Sequence, residues 1–268
     1  FECGHERLAP PFPTMMTKMN LHRQKSKPHH LNIFEMGNIS TAVTKKDLAE
    51  AIADEFGVQY SPDGKRLLHA DPRGLRENRV VSYAVKPGTQ LICDSAFDDC
   101  DFPECILLPD SVTSIGFSAF GGCRSLKSIA IPDSVTRIGA VAFEGCESLK
   151  EITIPDGVTH IGVAAFLGCS SLECIAIPNS ITYIGYYTFG GCSSLANIAI
   201  LGSVTRIDCR AFCGCESLVS ISIPDSVKYV GDGAFAGCNS LADDVKAEIV
   251  SRFGSDCMNE VELDATED

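Results

Sequence analysis

Hydrophobic and polar positions repeat along this chain with a fixed period of 23 residues. The unit LPDSVTSIGFSAFGGCRSLKSIA begins at Leu108, and close copies follow to Asp243, beginning at Ile131, Ile154, Ile177, Ile200 and Ile223. A repeat of this length is typical of a solenoid, in which each unit packs only against its two neighbours. The pattern therefore predicts a stack of coils with one continuous hydrophobic core.

The unit from Ile131 to Thr153 shows how one coil is built. Residues 151–154 alternate polar and apolar side chains, which predicts a short parallel strand with Ile152 and Ile154 turned inward. Pro155 ends the strand, because proline cannot donate a hydrogen bond to the ladder. The L-x-x-L-x-L spacing through Leu149 is that of a leucine-rich repeat.

The rest of the coil needs a second strand and a tight return. Residues 158–161 predict a short strand on another side, and Gly162 predicts the corner that follows it. Ala165–Phe166 predicts a single helical or 3₁₀ turn, which Gly168 closes because glycine adopts the left-handed conformation without strain. The expected fold class is an α/β solenoid, a right-handed leucine-rich repeat coil with short parallel strands.

Stacking places equivalent side chains above one another at the strand spacing of about 4.8 Å. One predicted ladder consists of phenylalanines, namely Phe97, Phe120, Phe143, Phe166, Phe189, Phe212 and Phe235. A second consists of cysteines three residues later, namely Cys100, Cys123, Cys146, Cys169, Cys192, Cys215 and Cys238. Parallel side chains in register have poor geometry for disulfides, so we expect free, buried thiols that act as small hydrophobes.

The unit that starts at Val85 is a degenerate seventh copy. It keeps Ile92, Phe97 and Cys100, but Lys86 stands where the other units usually have proline. Terminal units of a solenoid meet a cap and not another coil, so such departures are expected. We therefore place the repeat array at residues 85–242.

The sequence predicts an N-terminal cap at residues 44–84. Thr44 is a candidate N-cap for an amphipathic helix, KKDLAEAIADEF, with Leu48, Ile52 and Phe56 on one face and Gly57 as its stop. A β-hairpin is predicted next, since residues 58–60 and 66–69 flank the turn sequence Ser-Pro-Asp-Gly. This hairpin would cover the open edge of the first coil.

The two ends of the chain differ in charge and pattern. Residues 243–268 predict a capping helix from Asp243 to Phe253, with Val245, Ile249 and Val250 facing the last coil and Gly254 as its stop, followed by an acidic tail. This segment holds nine acids and two bases, a net charge of −7. Residues 1–43 show no periodicity and carry a net charge of +2, so we expect a disordered or loosely attached segment.

Composition excludes several classes of function. The 268 residues carry a formal net charge of −13, which argues against a nucleic-acid partner and against docking on an anionic membrane. No run of 18 apolar residues predicts a membrane-spanning helix. Residues 1–30 lack the apolar core of a signal peptide, and the start at Phe1 leads us to expect a fragment or a processed form.

The seven cysteines outside the ladder form no C-x-x-C pair, so we expect no metal and no cofactor. Cys3, His5, His29 and His30 have no spacing of a closed metal site, and Cys213 is separated by one residue from a ladder cysteine. So many unpaired thiols suit a reducing or anaerobic setting. No GxSxG, HExxH or phosphate-loop motif points to an enzyme, and the aspartates that follow proline are explained by turn chemistry.

Candidate binding residues lie at the outward positions of the second predicted strand. One row holds Arg137, His160, Tyr183, Arg206 and Tyr229, and Tyr186 and Tyr187 lie near it in sequence. Tyrosine and arginine are the residue types that dominate protein interfaces. We expect this row to contribute to a protein-binding surface, and the alternative is an ordinary solvated surface.

The units resemble the BspA-like subgroup of bacterial leucine-rich repeat proteins, through the pattern IPxSVTxIGxxAFxGCxSLxxI over residues 85–243. The departures are local, with Leu201-Gly202 and Asp208 in place of the usual corner residues of one unit. The resemblance implies surface or secreted proteins of anaerobic bacteria, some of which attach to host matrix proteins or other cells, and implies no enzymatic activity. The expected function is that of a noncatalytic adhesin or interaction module at the cell surface. An intracellular scaffold for an endogenous protein partner is the alternative, and a third hypothesis, an enzyme with its site in residues 1–84, has no supporting motif.

Overall fold

The computed structural model describes residues 41–259. The expected segment 1–43 therefore lies outside the described residues except for its last three, as do the candidate metal ligands Cys3, His5, His29 and His30 and the tail from residue 260. Within residues 41–259, no helix is both long and apolar enough to cross a membrane.

The first element is a short helix, α1, at Lys45–Ala49. Thr44 caps it as expected, since its hydroxyl accepts a hydrogen bond from the Asp47 amide and the Asp47 carboxylate accepts one from the Thr44 amide. Arg66 holds the helix in place through a 2.8 Å ion pair with Asp47. The N-cap prediction is thus confirmed.

The predicted extension of this helix to Phe56 is wrong, and Gly57 is not its stop. Ile52–Ala53 forms strand β1, which pairs with Gln59 and Tyr60. The Asp54 carboxylate accepts hydrogen bonds from the amides of Phe56 and Val58, each at 2.9 Å, and so builds a turn. Side-chain bonds of this kind compete with a helix, which explains why it ends early. Leu48 and Ile52 are consequently exposed and do not form a buried face.

The predicted hairpin is present as β2, Val58–Tyr60, and β3, Arg66–Ala70, which pair antiparallel. β3 also pairs in parallel with the first strand of the array, so the hairpin continues the sheet at that end. Two further elements follow that the sequence did not reveal, the helix α2 at Pro72–Glu77 and the strand β4 at Ser82–Ala84. β4 pairs in parallel with Cys105–Leu107, so the register of the array already begins at Ser82.

The array consists of seven coils, which we number by their phenylalanines from Phe97 in coil 1 to Phe235 in coil 7. Each coil contributes a two-residue strand to one side. These strands are β5 Leu91–Ile92, β7 Ser114–Ile115, β9 Arg137–Ile138, β11 His160–Ile161, β13 Tyr183–Ile184, β15 Arg206–Ile207 and β17 Tyr229–Val230. We call this the second-strand side.

Coils 1 to 6 also contribute a three-residue strand to another side, the first-strand side. These strands are β6 Cys105–Leu107, β8 Ser128–Ala130, β10 Glu151–Thr153, β12 Cys174–Ala176, β14 Asn197–Ala199 and β16 Ser220–Ser222. Where neighbouring strands of the array pair, they do so in parallel at 23-residue register, as Ile152 does with Ile175. The ladders run β1-β2-β3-β5-β7-β9-β11, β13-β15-β17, β4-β6-β8 and β10-β12-β14-β16.

The third side of each coil consists of consecutive turns and not of a regular helix. In coil 4 the amide of Cys169 donates to the Phe166 carbonyl at 3.2 Å, the spacing of a 3₁₀ turn. Ala164 has a φ of 55° and interrupts the helical path, and Gly168 has a φ of 72°, as its predicted role requires. The corner glycines have a different reason, since a Cβ at Gly139 would lie 2.4 Å from the carbonyl oxygen of Gly116.

The predicted phenylalanine ladder is confirmed as the centre of the core. The seven rings are fully buried, and neighbouring centroids lie 5.2 to 5.6 Å apart with nearly parallel planes. Tyr83 extends the ladder, with its ring 5.8 Å from that of Phe97. The inward Ile and Val side chains of the second-strand side are buried around the rings.

The seven ladder cysteines are free and buried, as expected. Their thiols are also hydrogen-bond donors, which the sequence did not reveal. From Cys123 onward each Sγ lies 3.1 to 3.2 Å from the carbonyl oxygen of the phenylalanine in the preceding coil, so that Cys169 donates to Phe143. Each of these cysteines therefore fills the core and also donates to a buried carbonyl of the preceding coil.

The last coil is followed by the helix α3 at Asp243–Phe253 and a 3₁₀ helix at Ser255–Met258. Ile249 is buried and Val245 is partly buried against the core, but Val250 is 37% exposed and does not face the last coil. Gly254 stops the helix at a φ of 90°. The carbonyls of Asp256 and Cys257 accept hydrogen bonds from the amides of Gly233 and Phe235 in coil 7.

We predict that Phe166→Ala lowers the free energy of unfolding by about 3–5 kcal/mol, because it leaves a cavity in the middle of the ring ladder. Phe117→Ala is the matched control, since Phe117 is 40% exposed and its loss should cost less than about 1 kcal/mol. Urea unfolding followed by circular dichroism measures both. Equal losses in the two variants would contradict the assigned core.

We also predict that alkaline pH destabilises the fold through the ladder thiols. Burial raises the pKa of Cys192 to about 12 from an ordinary value of 9.0, so above pH 9 an unfolded chain loses this proton and the folded chain keeps it. The free energy of unfolding should therefore fall from about pH 9 to 12, by about 1.4 kcal/mol per pH unit for each such thiol. Cys192→Ala should reduce this slope by one thiol, whereas the exposed Cys174→Ala should leave it unchanged in urea unfolding.

Candidate interaction surface

The candidate row consists of the outward residues of five neighbouring strands on the second-strand side. We call it the aromatic–basic row, and its members are Arg137, His160, Tyr183, Arg206 and Tyr229. Each precedes a buried Ile or Val, so the alternation along the strand turns it away from the core. The first four are half-buried and Tyr229 is 41% exposed.

Arg206 lies between an aromatic ring and a carboxylate in this row. Its guanidinium carbon lies 4.2 Å from the centroid of the Tyr229 ring, the geometry of a cation–π interaction. Its Nη2 lies 3.1 Å from the Asp208 carboxylate, and the Tyr183 hydroxyl donates to the other oxygen of that carboxylate at 3.3 Å. The side chains of Tyr183, Arg206 and Tyr229 are therefore held in one arrangement, with the Arg206 side chain still 38% exposed.

Asp208 is the residue that sequence analysis missed. We expected it to alter only the local corner, since it stands where most other units have glycine. Its carboxylate, 18% exposed, instead joins Arg206 to Tyr183. The sequence did offer one signal, an acid two residues after Arg206, at the position where most other units have glycine.

The hydroxyl of Tyr183 remains protonated at neutral pH. Burial and the neighbouring Asp208 carboxylate raise the pKa of Tyr183 to about 12. The hydroxyl can therefore only donate to Asp208, which fixes the direction of the hydrogen bond. Through these contacts the Tyr183 ring, the Arg206 guanidinium and the Tyr229 ring lie side by side.

Tyr186 and Tyr187 lie at the corner of coil 5, with ring centroids 4.6 Å apart in an edge-to-face contact. Tyr187 is buried, and its hydroxyl accepts a 2.8 Å hydrogen bond from Arg210, which is buried as well. Gly190 leaves room for this ring, because a Cβ there would lie 2.5 Å from it. Tyr187 therefore supports the surface from below, while the half-buried Tyr186 is a part of it.

Arg137 and His160 are paired on adjacent strands of coils 3 and 4. Burial and the charge of Arg137 lower the pKa of His160, so its imidazole is neutral at pH 7. A neutral imidazole offers one donor and one acceptor, which suits hydrogen bonding to a partner better than charge attraction. Ser114, at the equivalent position of coil 2, is buried and ends the row on that side.

The row divides into two parts between His160 and Tyr183. No strand pairing joins β11 to β13 in the described part of the chain. The three atoms nearest to a Cβ at Gly185 would be side-chain atoms of its own coil at 3.0 to 3.3 Å, whereas a Cβ at Gly162 would clash with the backbone of the preceding coil at 2.3 Å. The corner of coil 5 therefore stands further from its neighbour, and the contacts of coils 5 to 7 form a separate group.

The first-strand side offers a different surface. Its outward residues are mostly small and uncharged, and exposed ion pairs such as Lys127 with Glu104 at 2.8 Å border it. Among residues 41–259, no three His, Cys, Asp or Glu side chains are placed to hold a metal ion together. Burial raises the pKa of ladder thiols such as Cys146 well above 9, so they are poor nucleophiles.

Comparisons with known proteins agree with this architecture. The model of the BspA type leucine-rich repeat region matches six copies, over residues 90–217 and 159–266. The comparison with curated proteins finds no match.

Solved structures give the same picture. A leucine-rich repeat protein from Bacteroides ovatus ATCC 8483 is 33% identical with a TM-score of 0.60, and the match covers 70% of this chain and 48% of that protein. A T. pallidum leucine-rich repeat protein is 29% identical with a TM-score of 0.65, over 75% of this chain and 95% of that one. A pneumococcal vaccine antigen, at 21% identity and a TM-score of 0.51, matches 79% of this chain and 48% of its own and shares the fold alone. The chain thus spans about half of the Bacteroides protein and nearly all of the T. pallidum one.

We predict that the pKa of His160 depends on Arg137, in its own part of the row, and not on Arg206 in the other part. Arg137→Gln should raise the pKa of His160, because it removes a neighbouring positive charge, although burial will keep that pKa below its usual 6.5. An NMR titration of the imidazole protons measures the change. Arg206→Gln, beyond the division of the row, is the control and should leave the titration where it was. An unchanged pKa in Arg137→Gln would contradict the assigned contact.

Proposed function

Because the chain belongs to the BspA-type leucine-rich repeat family, we propose that it is a noncatalytic protein-binding module, displayed at the cell surface or secreted. The family consists in general of repeat proteins that engage other proteins, and the relatives named above are bacterial. The proposed partner is a protein of the host matrix or of another cell surface. The proposed contact is the aromatic–basic row together with Tyr186.

The observation that carries this proposal is the arrangement of Arg206 between Asp208 and the Tyr229 ring. Immobilising a free arginine on binding costs conformational entropy, whereas this guanidinium is already held and remains partly exposed. Tyrosine and arginine are enriched among the residues whose truncation weakens protein complexes most. Five coils at the strand spacing of about 4.8 Å place the row over roughly 19 Å, a length that suits one side of an ordinary interface.

An intracellular scaffold is the alternative, and the cysteines favour it. The described residues include 13 free cysteines, of which Cys174 is exposed. An oxidising compartment would modify such a thiol, whereas a reducing or anaerobic one would leave it intact. Fractionation of the native cells, with the N-terminus of the mature protein determined by mass spectrometry, distinguishes the two locations.

The binding surface is tested by capture of purified host matrix proteins and of a cell lysate on the immobilised full chain. Arg206→Glu and Arg137→Glu should each weaken the captured complex, and Arg206→Glu more so, by about 30-fold or more, the loss typical of a central interface arginine. Arg124→Glu and Lys127→Glu are the matched controls, since they reverse exposed charges near the first-strand side. A complex that survives both row variants is bound elsewhere.

A further inference from the structure

The second-strand side has a covered strand edge at its N-terminal end and an open one at its C-terminal end. At the N-terminal end the hairpin strand β3 pairs with β5, so the edge of coil 1 is covered by another strand. At the C-terminal end β17 pairs with β15 on one side and is the last strand of its sheet, and no described strand pairs with its outer edge. Uncovered edges are usually protected in proteins, because they readily accept a further strand.

The elements that follow coil 7 cover its other two sides. The carbonyls of Asp256 and Cys257 take the place of a next coil beside the turn side. On the first-strand side Arg252 donates to the carbonyls of Ile223 and Pro224, at 2.6 and 3.1 Å. The second-strand side receives no such contact from the described residues.

The register of the array specifies what this edge lacks. At a typical inner junction the amide of Thr136 donates to the Thr113 carbonyl at 3.0 Å, and the amide of Gly139 donates to the Ile115 carbonyl at 2.9 Å. The equivalent acceptors of coil 7 are the carbonyls of Lys228 and Val230. No amide of the described residues bonds to either of them.

An open cleft of about 340 Å³ lies along this edge. One wall is the edge strand, and the other is the end of α3 with the 3₁₀ helix. The lining residues are Lys228, Tyr229, Val230, Asp232, Arg252, Phe253, Asp256 and Cys257. Two acids and two bases contribute to it, so the cleft does not select a strongly charged ligand.

We propose that this cleft accepts an extended peptide segment of a protein partner, which adds to β17 as a parallel strand. The segment supplies the two amides that a further coil would bring to Lys228 and Val230, so main-chain hydrogen bonds provide most of its affinity. Its side chains pack between the rings of Tyr229 and Phe253, which favours an apolar residue there. The inference goes beyond the proposed function, because it concerns an edge of the sheet and not the face that carries Arg206.

A peptide with the sequence of residues 134–139, Ser-Val-Thr-Arg-Ile-Gly, is the probe, since it carries both amides at the spacing found inside the array. Acetylated and labelled with fluorescein, it should bind the full chain saturably in fluorescence polarisation. Replacing its last residue with N-methylglycine removes one donor and should weaken binding by about 10-fold. The same methyl group on the first serine amide, which makes no such bond in the array, should have little effect.

Variants of the protein locate the binding. Asp232→Trp, at an exposed residue that lines the cleft, should fill it and reduce peptide binding at least about 10-fold. Asp156→Trp, the same change at an exposed turn of the array, is the control and should bind as the unaltered chain does. Circular dichroism checks that both variants keep their fold.

Three results would overturn the proposal. They are equal binding to the two tryptophan variants, no effect of methylation at the glycine, and binding that appears only after residues 260–268 are removed. The last would show that the chain fills the cleft by itself. Because none of these changes touches Arg206 or Arg137, the outcome is independent of the capture experiment on the aromatic–basic row.

Discussion

The stack depends on the close approach of neighbouring backbones at identical register. The centroid of each phenylalanine ring lies 5.2 to 5.6 Å from that of the next coil. The cysteine three residues after the ring donates its thiol hydrogen to the carbonyl of the phenylalanine in the preceding coil, as Cys169 does to Phe143. A substitution that displaced one coil relative to its neighbour would break a ring contact, a thiol hydrogen bond and the strand pairing at the same time. A single coil cannot offset its ordering entropy, so stability arises only from these repeated contacts between neighbours.

This constraint also explains which positions can carry function. The inward columns must hold Phe, Cys, Ile or small side chains, and the corner of most coils must hold glycine, because a Cβ would meet the backbone below it. The outward columns are free of that requirement. Asp208 occupies a corner column and yet its carboxylate accepts a hydrogen bond from Arg206, so a departure from the repeat contributes to the contacts of the row.

The sequence was sufficient for the parts of the fold that repetition specifies. The ladders, the two strands of a coil and the left-handed Gly168 follow from periodicity, since seven copies of one pattern leave little freedom. The sequence was insufficient where a contact of one side chain determines the local structure. The helix at Lys45 ends early because of the Asp54 carboxylate, and Tyr187 is buried because Gly190 leaves room for its ring. Such contacts join residues that the period does not relate, so they become visible only in three dimensions.

The second-strand side differs from the first-strand side both in its outward residues and in its last strand. On the first-strand side the outward residues are mostly small and uncharged, and Arg252 donates to the carbonyls of Ile223 and Pro224. The second-strand side has strands of only two residues, whose outward positions hold long polar and aromatic side chains. Its last strand also keeps carbonyls that no described amide meets. The two contacts that we propose, the aromatic–basic row and the open edge, therefore lie on the same side of the array.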